Sequence, residues 1–82
     1  MLYYTYMLKS ISPGFKKTYV GYTNDLELRL DKHNNNKGAK STKGYKWKLI
    51  YSKKFKTKSE AMSFEYKLKN NRLLRREILE SI

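Results

Sequence analysis

The sequence predicts an α+β domain in which a small, three-stranded, mainly antiparallel sheet is flanked by helices. Three observations predict it. Aromatic-rich segments alternate with a period of two, capping signals precede runs with helical apolar spacing, and a Pro-Gly pair separates the first two strand-like segments. At 82 residues the chain suffices for one modest core and not for two, so a single domain over residues 1–82 is expected.

The first strand is predicted over residues 3–9, where Tyr4, Tyr6 and Leu8 alternate against Tyr3, Thr5 and Met7. "SISPGFKK" (10–17) contains Pro13-Gly14, a turn signal, and "TYVGY" (18–22) follows as a second strand, so the pair reads as a hairpin. Strand alternation places Tyr19 on the opposite face from Tyr22, which is expected to pack or stack. A helix should start near Asn24, with Asn24 as cap, Glu27 as its capping-box partner and Asp25 at the positive end of the dipole. Leu26, Leu30 and His33 recur at helical spacing, and "NNNKG" (34–38) ends the pattern. Residues 34–46 form a polar, basic connection long enough to be read as functional or mobile. "WKLIYSKKF" (47–55) supplies the third strand, alternating Trp47, Leu49 and Tyr51 against Lys48, Ile50 and Ser52. "TKSE" (57–60) is a second capping box, opening a helix with Ala61, Phe64 and Leu68 on one stripe. Residues 72–82 suit a further short helix, which gives the order β-β-α-β-α plus a terminal helix.

Composition limits the chemistry. Nineteen Lys and Arg face seven Asp and Glu, a formal charge of +12. On so small a surface this creates a potential of several kT that attracts polyanions, nucleic acid above all, with solvated surface lysines as the plainer reading. The charge does not discriminate DNA from RNA, so RNA stays open beside DNA. Without cysteine there are no disulfides, thiolate zinc sites or cysteine nucleophiles, and His33 as the single histidine rules out a multi-histidine metal site. No apolar run approaches the roughly 18 residues that span a bilayer. The N-terminal segment reads as neither leader nor anchor, and a monomeric cytoplasmic protein with no membrane contact is expected.

Two ionisable residues sit at unusual helical positions. At roughly 100° per residue, Arg29 and His33 stack on one edge of the stripe carrying Leu26 and Leu30. An unpaired buried guanidinium is costly, so Arg29 should meet either a carboxylate or a ligand phosphate. His33 reads as a satisfied histidine at a helix end or as a proton-transfer group. Glu65 lies roughly 70° from the centre of the Ala61–Phe64–Leu68 stripe, at a core margin. It is either Arg29's ion-pair partner or a ligand for a hard cation such as Mg²⁺, which needs only one or two carboxylates plus waters and phosphates. These residue types suit phosphodiester hydrolysis, with a tyrosine as base only if its pKa falls well below about 10.

The ordered set of motifs resembles the GIY-YIG nuclease superfamily and, within it, the small UPF0213 group. "YTY" (4–6) and "YVG" (19–21) match the two signature tripeptides, followed by "TNDLxxRLxxHN" (23–34), "KGAKSTKG" (37–44) and "SEAMxxE" (59–65). The resemblance spans residues 3 to about 70. It implies a Mg²⁺- or Mn²⁺-dependent nuclease acting on DNA. Low sequence specificity is expected because lysine–phosphate contacts position a backbone without reading it, and so small a site suits single-stranded or branched DNA held by aromatic stacking and lysines. By that resemblance Tyr19 is the base, Tyr6 orients water or phosphate, Arg29 binds the scissile phosphate, Glu65 holds the metal and His33 assists proton transfer. Gly21 is implied as a bend allowing close backbone approach. Lys37, Lys40, Lys43 and Lys46 are expected to track the backbone without reading sequence. Many members carry an asparagine about twelve residues after the glutamate, where this chain has Glu77. The alternatives are a non-catalytic nucleic-acid-binding module and a partner-dependent nuclease subunit.

Overall fold

The computed structural model describes residues 1–11 and 17–81. Its elements run β1 (Tyr3–Ser10), β2 (Thr18–Thr23), α1 (Leu26–Asn34), a 3-10 turn (Lys40–Thr42), β3 (Trp47–Phe55), α2 (Lys58–Lys69) and α3 (Arg72–Glu80). The three strands form an antiparallel sheet in the order β2-β1-β3, so the α+β class and the expected element order hold, terminal helix included. The Pro13-Gly14 turn lies outside the described residues. The strand ends it joins are tied by the Ser10 N–H to the Lys17 carbonyl at 2.9 Å and the Lys17 N–H to Ser10 Oγ at 3.1 Å.

Central β1 is buried on both faces, and the two faces are covered differently. Under α1, Tyr6, Leu8 and Trp47 form one cluster, with Tyr19, Leu26, Leu30 and Leu49 packed against it. Under α2 and α3, Met7, Val20, Leu68 and Ile78 form another, joined by Ile50, Tyr51 and Phe64. Strict alternation along β3 therefore fails after Leu49. Met7 pairs with Tyr51 while Leu8 pairs with Leu49, so Ile50 is an extra residue, and Ile50 and Tyr51 both pack on the α2–α3 side. A β-bulge of this kind reverses the facing of every residue beyond it, which period-two reading cannot foresee.

The helix caps are local and mostly as expected. Thr57 caps α2, its Oγ accepting from the Glu60 N–H at 3.2 Å and its hydroxyl donating to the Glu60 carboxylate at 3.0 Å. At α1 the cap is Asp25 and not Asn24: Asp25 Oδ1 accepts from the Leu28 N–H at 3.0 Å. The Thr23 hydroxyl fixes that register, accepting from the Asp25 N–H at 3.1 Å and donating to the Asp25 carbonyl at 3.2 Å. Glu27 is left exposed in the first turn.

The polar connection after α1 is anchored. Asn34 uses both ends of its amide on one residue of β3, accepting from the Trp47 N–H at 2.6 Å and donating to its carbonyl at 3.2 Å. The Trp47 indole N–H donates to the Thr42 carbonyl at 3.1 Å, and Thr42 is fully buried. Among the described residues no helix is long and apolar enough to cross a membrane.

Candidate active site

A cavity of about 290 Å³ is lined by Tyr6, Tyr19, Gly21, Tyr22, Thr23, Arg29 and Glu65. It wraps the outer edge of β2. Tyr6, Tyr19 and Arg29 approach from the α1 side of the sheet, and Glu65 reaches round from α2 on the other side. Four of the five proposed site residues thus share one cavity.

Tyr6 pairs with Gly21 across the sheet, and the phenol ring lies over the glycine. A Cβ at Gly21 would stand 2.5 Å from the Tyr6 oxygen and 3.0 Å from the Tyr19 ring. Gly21 lies within β2, which continues to Thr23. What it provides there is the close approach expected from sequence, in the form of space for two phenols.

The fifth residue, His33, does not line the cavity. It is fully buried behind Tyr6, whose phenol oxygen lies 2.8 Å from His33 Nε2. On the far side, His33 Nδ1 lies 3.0 Å from Thr42 Oγ1, and the Thr42 hydroxyl donates to the Ala39 carbonyl at 2.7 Å. A hydroxyl has one proton, and a carbonyl can only accept. Thr42 therefore accepts from His33, which puts the ring proton on Nδ1 and leaves Nε2 bare. Tyr6 must then donate its O–H to Nε2, an assignment made from the partners of each atom. The Tyr6 oxygen in turn accepts from the Arg29 Nε–H at 3.4 Å. One directed chain runs from Arg29 through Tyr6, His33 and Thr42 to a backbone carbonyl.

The electrostatics agree with that direction. Burial pushes the Tyr6 phenol up to about 12, outweighing the Arg29 hydrogen bond that pulls it down. Burial, with the Arg29 charge second, holds His33 below its usual value, so the ring is neutral at pH 7. Tyr6 is accordingly a protonated group whose oxygen is held in place. Tyr19 packs beside it, its ring centroid 4.8 Å from that of His33 and 6.3 Å from that of Tyr6.

Arg29 and Glu65 do not pair. Glu65 instead meets Lys69, one turn along α2, at 3.3 Å, its side chain 19% exposed. Among the described residues Arg29 makes no ion pair, so a cation that sequence alone left between two explanations faces the cavity without a paired carboxylate. No group of three or more His, Cys, Asp or Glu able to hold a metal occurs among the described residues. One carboxylate among phenol oxygens is a hard-oxygen donor set; it fits Mg²⁺ or Mn²⁺ completed by waters and substrate oxygens, and not zinc.

The four loop lysines, Lys37, Lys40, Lys43 and Lys46, are all exposed, and none of them lines the cavity. Lys46 Nζ donates to the Asn34 carbonyl at 3.0 Å. Tyr22 does lie on the opposite face of β2 from Tyr19, yet it reaches the cavity over the strand edge. Thr42 and Gly38, part of "KGAKSTKG", shape the site without lining it. A Cβ at Gly38 would stand 2.4 Å from His33 Nδ1, so the glycine is what admits the imidazole. Glu77 is exposed on α3.

Comparison with known proteins agrees with this architecture. Residues 2–77 match the GIY-YIG catalytic domain family. A UPF0213 protein of Oceanobacillus iheyensis is 46% identical over 68 residues, covering 82% of this chain and 76% of that protein. A second, from Staphylococcus saprophyticus, is 50% identical over 52 residues, covering 62% of this chain and 63% of the relative, so the match spans under two thirds of that protein's length. The solution NMR structure of a UPF0213 protein from Bacillus halodurans superposes with a TM-score of 0.50 at 37% identity, covering 99% of this chain and 84% of that one. With residues 2–77 of this chain matched to the family domain, the chain belongs to the GIY-YIG family, in its UPF0213 group.

Proposed function

We propose that residues 1–82 form a single-domain, divalent-metal-dependent nuclease that hydrolyses DNA phosphodiesters with low sequence specificity, as a cytoplasmic monomer. One observation carries the reading: two phenols, an arginine without an ion pair and a carboxylate line the same cavity. In this reading Arg29 binds the scissile phosphate, its Nε–H held on the Tyr6 oxygen. Tyr6 cannot serve as base, because it is protonated and its O–H is donated in a hydrogen bond to His33. Tyr19, as the base, takes a proton from water as the water oxygen adds to phosphorus. The P–O bond opposite breaks, its electron pair passes to the departing sugar oxygen, and solvent protonates that oxygen. Mg²⁺ or Mn²⁺, when bound at Glu65, supplies positive charge against the phosphate oxygens. His33 is a positioning residue, holding Tyr6 through its Nε2.

The test is a cleavage panel on labelled single-stranded, duplex and flapped DNA and on RNA, with Mg²⁺, Mn²⁺ or EDTA. Cleavage of DNA that EDTA abolishes is expected, with single-stranded or flapped forms preferred. Tyr19→Phe should slow it by about 10²–10⁴-fold, the usual contribution of a general base, without weakening binding. Normal binding with no cleavage of any substrate by the unaltered protein would sink the reading in favour of a binding module.

A further inference from the structure

The cavity does not end at Tyr19. That residue also lines a second depression of about 400 Å³, shared with Thr18, Lys69 and Arg75. Thr18 and Arg75 continue into a third, of about 250 Å³, bordered by Arg72 and Arg76. The three share lining residues in sequence, so they form one groove along the outer edge of β2 onto α3. Beyond Tyr19 it is lined by four cations and no acid.

A depression on α1 differs in charge. The outer side of α1 carries a depression lined by Asp25, Glu27 and Asp31, three of the chain's seven acids, and repels a polyanion. A phosphate backbone held at Arg29 is therefore drawn towards the basic groove and not over the acidic side of α1.

We propose that a single strand of DNA runs from the cavity along this groove, its phosphates held by Lys69, Arg72, Arg75 and Arg76. The proposal rests on the nuclease reading and extends it. Substrate is engaged on one side of the scissile phosphate, and the main phosphate contacts lie on α3, away from the lysine-rich loop. The four cations are not equivalent. Arg75 Nη1 donates to the Leu68 carbonyl at 2.9 Å and also to that of Lys69, closing the end of α2, so its removal would disturb the fold. Arg72 and Arg76 are exposed; the Arg76–Glu80 contact at 3.7 Å, between side chains 73% and 72% exposed, competes weakly with a phosphate.

The experiment compares two charge-matched variants, Arg72→Gln/Arg76→Gln on α3 and Lys48→Gln/Lys54→Gln on β3, at the other edge of the sheet. Fluorescence anisotropy of a labelled single-stranded oligonucleotide is followed in EDTA over a range of salt, after thermal melts show both variants folded. The α3 variant should lose about tenfold in affinity, and its slope of log K against log salt should fall by about 1.4, or about 0.7 for each phosphate contact removed. The β3 variant should keep the slope and lose less than about threefold. Equal losses in the two variants, or none on α3, would overturn the groove, as would failure of the unaltered protein to bind the strand. Binding without metal does not depend on hydrolysis. A parallel digestion with Mg²⁺ therefore separates the two ideas: absent cleavage with α3-dependent binding sinks the activity alone, and cleavage with α3-independent binding sinks the groove alone.

Discussion

The two faces of the sheet are held by different physics. Under α2 and α3, Met7, Val20, Leu68 and Ile78 meet as apolar side chains, and Thr5 adds one hydrogen bond to the Ala61 carbonyl at 2.7 Å. Apolar contacts are non-directional, and a swap that conserves volume is tolerated. Under α1 the buried His33, Thr42 and Tyr6 each have a defined partner, and no buried side-chain nitrogen or oxygen among the described residues lacks one. There a swap that conserves shape and loses a proton is not tolerated. One face fixes where the backbone lies; the other fixes where hydrogens lie. The candidate active site sits where β2's open edge lets both faces contribute.

The comparison can be broken at several points. The largest effect is expected where the faces meet. Glu65→Gln keeps the shape of the cavity and removes its one carboxylate, and cleavage should fall about 10³-fold, equivalent to about 4 kcal/mol of barrier, with DNA binding retained. Next comes the apolar face. Leu68→Ala should cost about 2–5 kcal/mol of stability and lower Tm by about 4–8 °C for each kcal/mol, measured by thermal and urea melts. The neighbouring hydrogen-bond chain should survive in the folded fraction.

Thr42→Val tests the other face with almost no change of volume. It strands the His33 Nδ1–H and should cost about 1–3 kcal/mol. Its sharper readout is the tautomer: long-range nitrogen–proton NMR should find the His33 proton on Nδ1 in the unaltered protein and on Nε2 in the variant. A proton already on Nε2 in the unaltered protein would refute the directed chain.

The smallest effect is in pH. Burial depresses His33 below its usual value of 6.5, so the unfolded chain takes up the proton first as pH falls. The associated stability is complete above pH 6.5 and is lost as pH drops through the folded value. Urea melts across that window should show His33→Gln flattening this part of the profile, whereas Leu68→Ala lowers the curve without reshaping it.

Much of this arrangement is legible in the sequence because it is local. Alternation marks β1 and β2, the Thr57–Glu60 pair marks the start of α2, and the (i, i+4) spacing of Arg29 and His33 puts both on one edge of α1. Glu65 stands out as an acid at a core margin. What escapes depends on the partner found in three dimensions. The α1 cap falls on Asp25 because Thr23 locks that register, a choice that two adjacent capping residues leave open. The bulge at Ile50 needs knowledge of β1's pairing. Thr42 resembles any loop threonine until its hydroxyl donates to the Ala39 carbonyl. Asn34 reads as a helix breaker, yet it serves as a surrogate strand partner for Trp47.

Gly21 and Gly38 matter for the space they leave, one for Tyr6 and one for His33. In a library of substitutions scored by activity, both positions would rank with the reacting groups, although neither has a side chain to react. Their intolerance would map the volumes of two other residues. For a fold this small, a functional map of the sequence is partly a cast of its neighbours' side chains, and an invariant position can be the mould and not the tool.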